Sequence, residues 1–100
     1  MTDAAQEERF RLSGRVRHRA VADEGVLVHL DSGRVLVVSE VGLFLVRELA
    51  GRAMTLIELA QAVVGEFEVE LEQAREDVAA FLDQLRGEQV LERFGGADAG

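Results

Sequence analysis

Few side chains in this 100-residue chain have the type and spacing that chemistry requires. His18 and His29 are the only histidines, eleven residues apart, and neither sits in a ligand pattern. Zinc sites draw on clustered His, Cys or carboxylate ligands with local spacing, and this chain has no cysteine. Ser13, Ser32 and Ser39 are the only serines, and none lies in a nucleophile motif. Gly14, Gly25 and Gly33 match neither phosphate-loop spacing. Glu72, Glu76, Asp77 and Asp83 crowd one stretch, but paired carboxylates catalyse only where a pocket shifts their pKa values. The sequence therefore predicts a protein that is not an enzyme and takes no metal or cofactor.

Arginine is the remaining candidate. Arg9, Arg11, Arg15, Arg17 and Arg19 recur at odd positions. Arg15, Arg17 and Arg19 share one face if Arg15–Ala22 is extended. A solvated strand face is the plain reading; an acidic partner, such as an enzyme surface, is the sharper one. Residues 1–39 balance six acids with six arginines, whereas residues 40–100 hold thirteen acids and five arginines and carry the whole formal charge of −8. An acidic surface repels phosphate backbones. Tryptophan and tyrosine are absent, so a base-stacking platform is not expected. No apolar run approaches the ~20 residues of a membrane span. The start, MTDAAQEERF, lacks the apolar stretch of a secretory signal. A cytoplasmic location is expected, with no nucleic-acid or membrane partner.

One domain with a modest core fits this length and a composition that is 48% apolar. Residues 1–12 read as a flexible polar arm, residues 13–92 as the domain, and residues 93–100 as a flexible glycine-rich tail. Within the domain, Arg15–Ala22 is the first strand, and Asp23-Glu24-Gly25 turns the chain. Val26–Leu30 and Val35–Val38 are β-branched runs, joined by Asp31-Ser32-Gly33, where glycine is free to take positive φ. A three-stranded antiparallel meander follows, with Val35–Val38 at one edge.

Three amphipathic helices come next. Ser39 caps the first, whose apolar positions are Val41, Phe44, Leu45 and Leu49 and which Gly51 ends. Thr55-Leu56-Ile57-Glu58 is a capping box opening the second, with Leu56, Leu59, Ala60, Val63 and Val64 on its apolar face and Gly65 at its end. The third runs over Leu71–Arg86 with Leu71, Ala74, Val78, Phe81, Leu82 and Leu85 on one face, and Gly87 caps it. The fold class is α+β and winged-helix-like, a three-stranded antiparallel sheet followed by three helices. A helix-turn-helix would need a basic recognition helix, and the third helix is acidic.

The stretch Gly25–Leu91 resembles the PqqD-like family, the recognition elements for precursors of ribosomally made, modified peptides. The resemblance rests on the hairpin GVLVHLDSGRVLVVSEVG, the helix closed by Leu49-Ala50-Gly51, the TLIEL that opens the second helix, and EDVAAFLDQLRGEQVLE in the third. It covers about two thirds of the chain. It implies a non-catalytic protein that binds the leader segment of a precursor peptide and presents the core segment to a modifying enzyme or leader peptidase. Physics permits that mechanism, because an edge strand offers unpaired N–H and C=O groups to an extended peptide. The implied groove has Arg34, Val35, Leu36, Val37 and Val38 on one side. Ala74, Arg75, Asp77, Val78, Phe81 and Leu82 of the third helix form the other. Core packing competes with ligand contact at each of these apolar positions.

A lasso-peptide-type pathway is the first expectation. A chaperone for a radical SAM enzyme, as in pyrroloquinoline quinone biosynthesis, is the second. A winged-helix DNA-binding regulator and an oligomerising structural module are the rivals from other classes. The expected state is a monomer or weak dimer.

Overall fold

The computed structural model describes residues 8–95. The order of elements is β1 (Arg9–Leu12), β2 (Val16–Val21), β3 (Glu24–His29), β4 (Val35–Val38), α1 (Glu40–Gly51), β5 (Met54–Thr55), α2 (Leu56–Glu66), α3 (Leu71–Gly87) and β6 (Leu91–Phe94). The α+β class and the meander of three strands followed by three helices stand as expected. The likeness to a winged helix goes no further than a sheet beside three helices.

Strands β2, β3 and β4 form one antiparallel sheet in that order. The register pairs Arg17 with Val28 and Val28 with Val35, then Arg19 with Val26 and Val26 with Val37. The first turn is tighter than expected. Val21 pairs with Glu24, leaving Ala22 and Asp23 as a two-residue hairpin loop, and Ala22 has φ 57. Such loops twist with the strands only when the backbone enters the left-handed region. Gly25 is not part of the turn. A Cβ there would lie 2.9 Å from Leu43 Cδ1 and 2.9 Å from Val38 Cγ2. It is glycine because α1 crosses the inner face of the sheet at that point. Gly33, at φ 75, does serve the second turn.

Ser39 caps α1 by accepting from the Gly42 N–H at 3.2 Å. The box at α2 is complete: the Thr55 N–H donates to Glu58 Oε1 at 2.9 Å, and the Glu58 N–H donates to Thr55 Oγ1 at 3.1 Å. The C-termini differ from expectation. Gly51, Gly65 and Gly87 all lie inside their helices, and none has positive φ. Arg52 and Phe67 close α1 and α2 instead in extended conformation, their N–H groups donating back to Glu48 and Val63. After α3 the left-handed residue is Gln89, at φ 62.

Leu27, Leu45, Val46, Leu49, Leu59, Val63, Val78, Leu82 and Leu85 are fully buried together. Phe44 and Phe67 meet edge to face, their ring centres 5.4 Å apart.

A second small sheet corrects the expected arm and tail. Strand β1 pairs with β5 on one side and β6 on the other. Phe10 and Leu12 are buried while Arg9 and Arg11 face solvent. The alternation of apolar and basic residues in RFRL carried the strand signal. The tail is extended through Phe94, and Arg93 pairs with Glu8 across the ladder. The remaining residues assigned to arm and tail, 1–7 and 96–100, lie outside the described residues.

Candidate functional site

Among the described residues the main sheet ends in β2 on one side and β4 on the other, and β4, which carries no charged side chain, is the candidate edge for a ligand strand. Antiparallel pairs alternate between those that exchange hydrogen bonds and those that do not. The His29 N–H donates to the Arg34 carbonyl at 3.0 Å, which fixes the phase. Leu36 therefore bonds toward β3, and the backbone N–H and C=O of Val35 and Val37 point away from the sheet. Their side chains are 61% and 57% exposed. Leu36 and Val38 alternate to the inner face, half-buried and buried respectively.

Helix α3 stands beside this edge. A Cβ on Gly42 would lie 2.9 Å from Val38 Cβ and 3.0 Å from Phe81 Cε1, so α1, β4 and α3 converge there. At the other end Arg34 pairs with Glu88 at 2.9 Å. Near that pair, the β3–β4 turn and the end of α3 enclose a hollow of about 470 Å³ lined by Ser32, Arg34, Gly87 and Glu88 among others. These contacts set the outward edge of β4 beside the Phe81 flank of α3, the two walls of the candidate groove.

The site residues expected from sequence divide. Arg34, Val35, Leu36, Val37 and Phe81 border the groove. Ala74, Val78 and Leu82 do not; they are 0%, 0% and 2% exposed and belong to the core. Val38, at 5%, joins them. These four offer a peptide no surface, because the helix turns its most apolar arc inward. Arg75 is corrected too, since it lies on the opposite flank, beside Leu56, Glu72 and Glu76. At ~3.6 residues per turn, Asp77, Phe81, Gln84 and Glu88 share the flank toward β4. Asp77 accepts from Gln73 Nε2 at 2.9 Å. Gln84 and Glu88 were missed, and their signal was the four-three-four spacing from Asp77 next to the apolar arc.

Several of the described ionisable groups are engaged in local pairs and caps. Arg15 holds Asp31 at 2.8 Å, and that hydrogen bond lowers the carboxyl below its ordinary range and raises the guanidinium. The Glu58 carboxyl is lowered chiefly by the Thr55 N–H. His29 Nδ1 accepts from the Asp31 N–H at 3.2 Å. Among the described residues no group of three or more His, Cys, Asp or Glu is placed to hold a metal ion, and no helix is long and apolar enough to cross a membrane.

The profile of one family, described as Coenzyme PQQ synthesis protein D (PqqD), matches residues 24–91. No curated protein matches the chain. Three solved structures resemble it. TbiB1 in complex with the TbiA(beta) leader peptide is 28% identical, covers 82% of this chain and 94% of its own, and superposes with a TM-score of 0.71. Lasso peptide synthetase B1 complexed with the leader peptide is 25% identical, covers 83% and 96%, and gives 0.68. The PqqD truncation of Methylobacterium extorquens PqqCD, a stand-alone recognition element, is 19% identical, covers 92% and 96%, and gives 0.72. At that identity it shows the shared fold.

Proposed function

The chain belongs to the PqqD family, and on that premise we propose that it binds the leader segment of a ribosomally synthesised precursor peptide. The leader adds as a fourth strand along β4. The protein, with no chemistry of its own, delivers the precursor to a modifying enzyme or leader peptidase in the cytoplasm. The observation that carries this reading is the outward-facing backbone of Val35 and Val37 beside the Phe81 flank of α3. An extended peptide is the ligand that completes such an edge, because main-chain hydrogen bonds supply affinity and alternate side chains supply specificity. Two of the resembling proteins are each described with a leader peptide, and one of them is a lasso peptide synthetase component, which favours a lasso-peptide-type pathway. The PqqD profile keeps a second role open, that of peptide chaperone to a radical SAM enzyme.

Titration with the leader of the precursor encoded beside this chain tests the proposal. Micromolar or tighter binding is expected; no affinity at that concentration rejects it. Val37→Pro tests the mode. The Val37 N–H faces outward, so proline removes a donor to the ligand without breaking a bond to β3, and edge strands tolerate proline. Leader affinity should fall about tenfold, the worth of roughly one well-made hydrogen bond, with the fold unchanged by circular dichroism. Unchanged affinity in a folded variant would show that strand addition is the wrong mode.

A further inference from the structure

The register places an uncovered apolar surface on the side of the main sheet that faces away from the helices. Pairing puts Arg17, Val28 and Val35 in one row and Arg19, Val26 and Val37 in the next. Side chains in one cross-strand row share a face. Val26 and Val28 are half-buried, and Val35 and Val37 are more than half exposed. Four valines thus form a block whose β2 border is arginine and whose β4 border is open.

We infer that this outer face reads the bound peptide, so that the leader is selected on two faces and not only by the groove. The inference rests on strand addition at β4. A strand bonded to the outward N–H and C=O groups of Val35 and Val37 sets one residue opposite each of them. Those two residues are two apart in the peptide, so their side chains fall on the same face as Val35 and Val37. They extend the two valine rows by one position each. The residue between them points to the other face, toward Leu36 and Phe81. Directly across on β4 the outer pair meets valine, and the arginines stand two strands away in the same rows. Apolar β-branched or aromatic residues are therefore favoured at both outer positions, because such cross-strand pairs are the unit of sheet stabilisation. The occupant is committed by geometry: β4 is the border of the block, and whatever pairs with β4 becomes its next column.

A positional-scanning library of synthetic decapeptides, each position fixed in turn as Val or Thr, tests this against the wild type and Val35→Thr/Val37→Thr. Threonine keeps the shape and strand preference of valine at these exposed positions, so the variant retains the sheet. With the wild type, two positions two apart should prefer Val by roughly two- to fivefold each. In the variant that preference should flatten at those two positions, while whatever preference the position between them shows toward Leu36 and Phe81 should not change. A preference left unchanged in the variant overturns two-faced reading while leaving strand addition in place. A preference confined to one position overturns it equally. No binding of any decapeptide to the wild type overturns both.

Discussion

At the scale of single residues, the site depends on a missing methyl group. Gly42 lets α1 approach β4 and α3 closely enough to fix the groove between them. Alanine in mid-helix gains up to about 1 kcal/mol over glycine when nothing opposes it. Gly65, next to last in α2, has nothing within 4 Å of a built Cβ, and Gly65→Ala should stabilise by up to about 0.5–1 kcal/mol in chemical denaturation. At Gly42 the added carbon meets Val38 Cβ at 2.9 Å. That atom is fixed to the backbone of β4, so relief requires the strand to move. Overpacking of this kind costs about 1–3 kcal/mol, which exceeds the propensity gain. Gly42→Ala should therefore lower stability where Gly65→Ala raises it, and should also weaken leader binding. A Gly42→Ala protein that is stabilised and binds normally would show that this contact does not position the edge.

At the scale of elements, the starts of α1 and α2 were legible in the sequence because their signals are chemical and local. Ser39 and the Thr55–Glu58 box form the hydrogen bonds their residue types announce. The box also carries a pH dependence. The folded Glu58 carboxyl is lowered, first by the Thr55 N–H, so it binds its proton less readily than in the unfolded chain. Its contribution is fully present above the ordinary carboxylate value and is lost as pH falls through the lowered folded value. Glu58→Gln keeps an acceptor for Thr55 but does not titrate. Its thermal midpoint should therefore fall less steeply than that of the wild type between about pH 5 and pH 3; parallel slopes would remove Glu58 from the acid limb. The glycine endings misled because a glycine after an apolar run is compatible with a helix that continues through it. The pair β1 and β6 stayed hidden because their partner strands are some eighty residues apart in the chain. The groove itself was half legible. The edge strand showed as an apolar run, but the α3 residues that border it are polar neighbours of the apolar arc, and which flank faces β4 is a tertiary fact.

At the scale of the whole molecule, charge and shape divide the labour. The helical half carries the acidic excess, while the outer face of the main sheet is valine bordered by Arg17 and Arg19. The two edges of that sheet are defended differently. Strand β2 carries arginines at exposed alternate positions, and charged side chains discourage pairing with another chain. Strand β4 carries valines and no charge between Arg34 and Glu40. An undefended, β-branched edge is a site of aggregation when empty. On the proposed function, a bound leader would double as a folding partner. A ligand that binds only the folded state at a hundred times its dissociation constant adds about 2.7 kcal/mol, worth roughly 10–20 °C in a domain this small. Scanning calorimetry with and without leader should show that rise, together with slower loss of soluble protein on standing. The unguarded edge would then tie the lifetime of this protein in the cell to the supply of the peptide it serves.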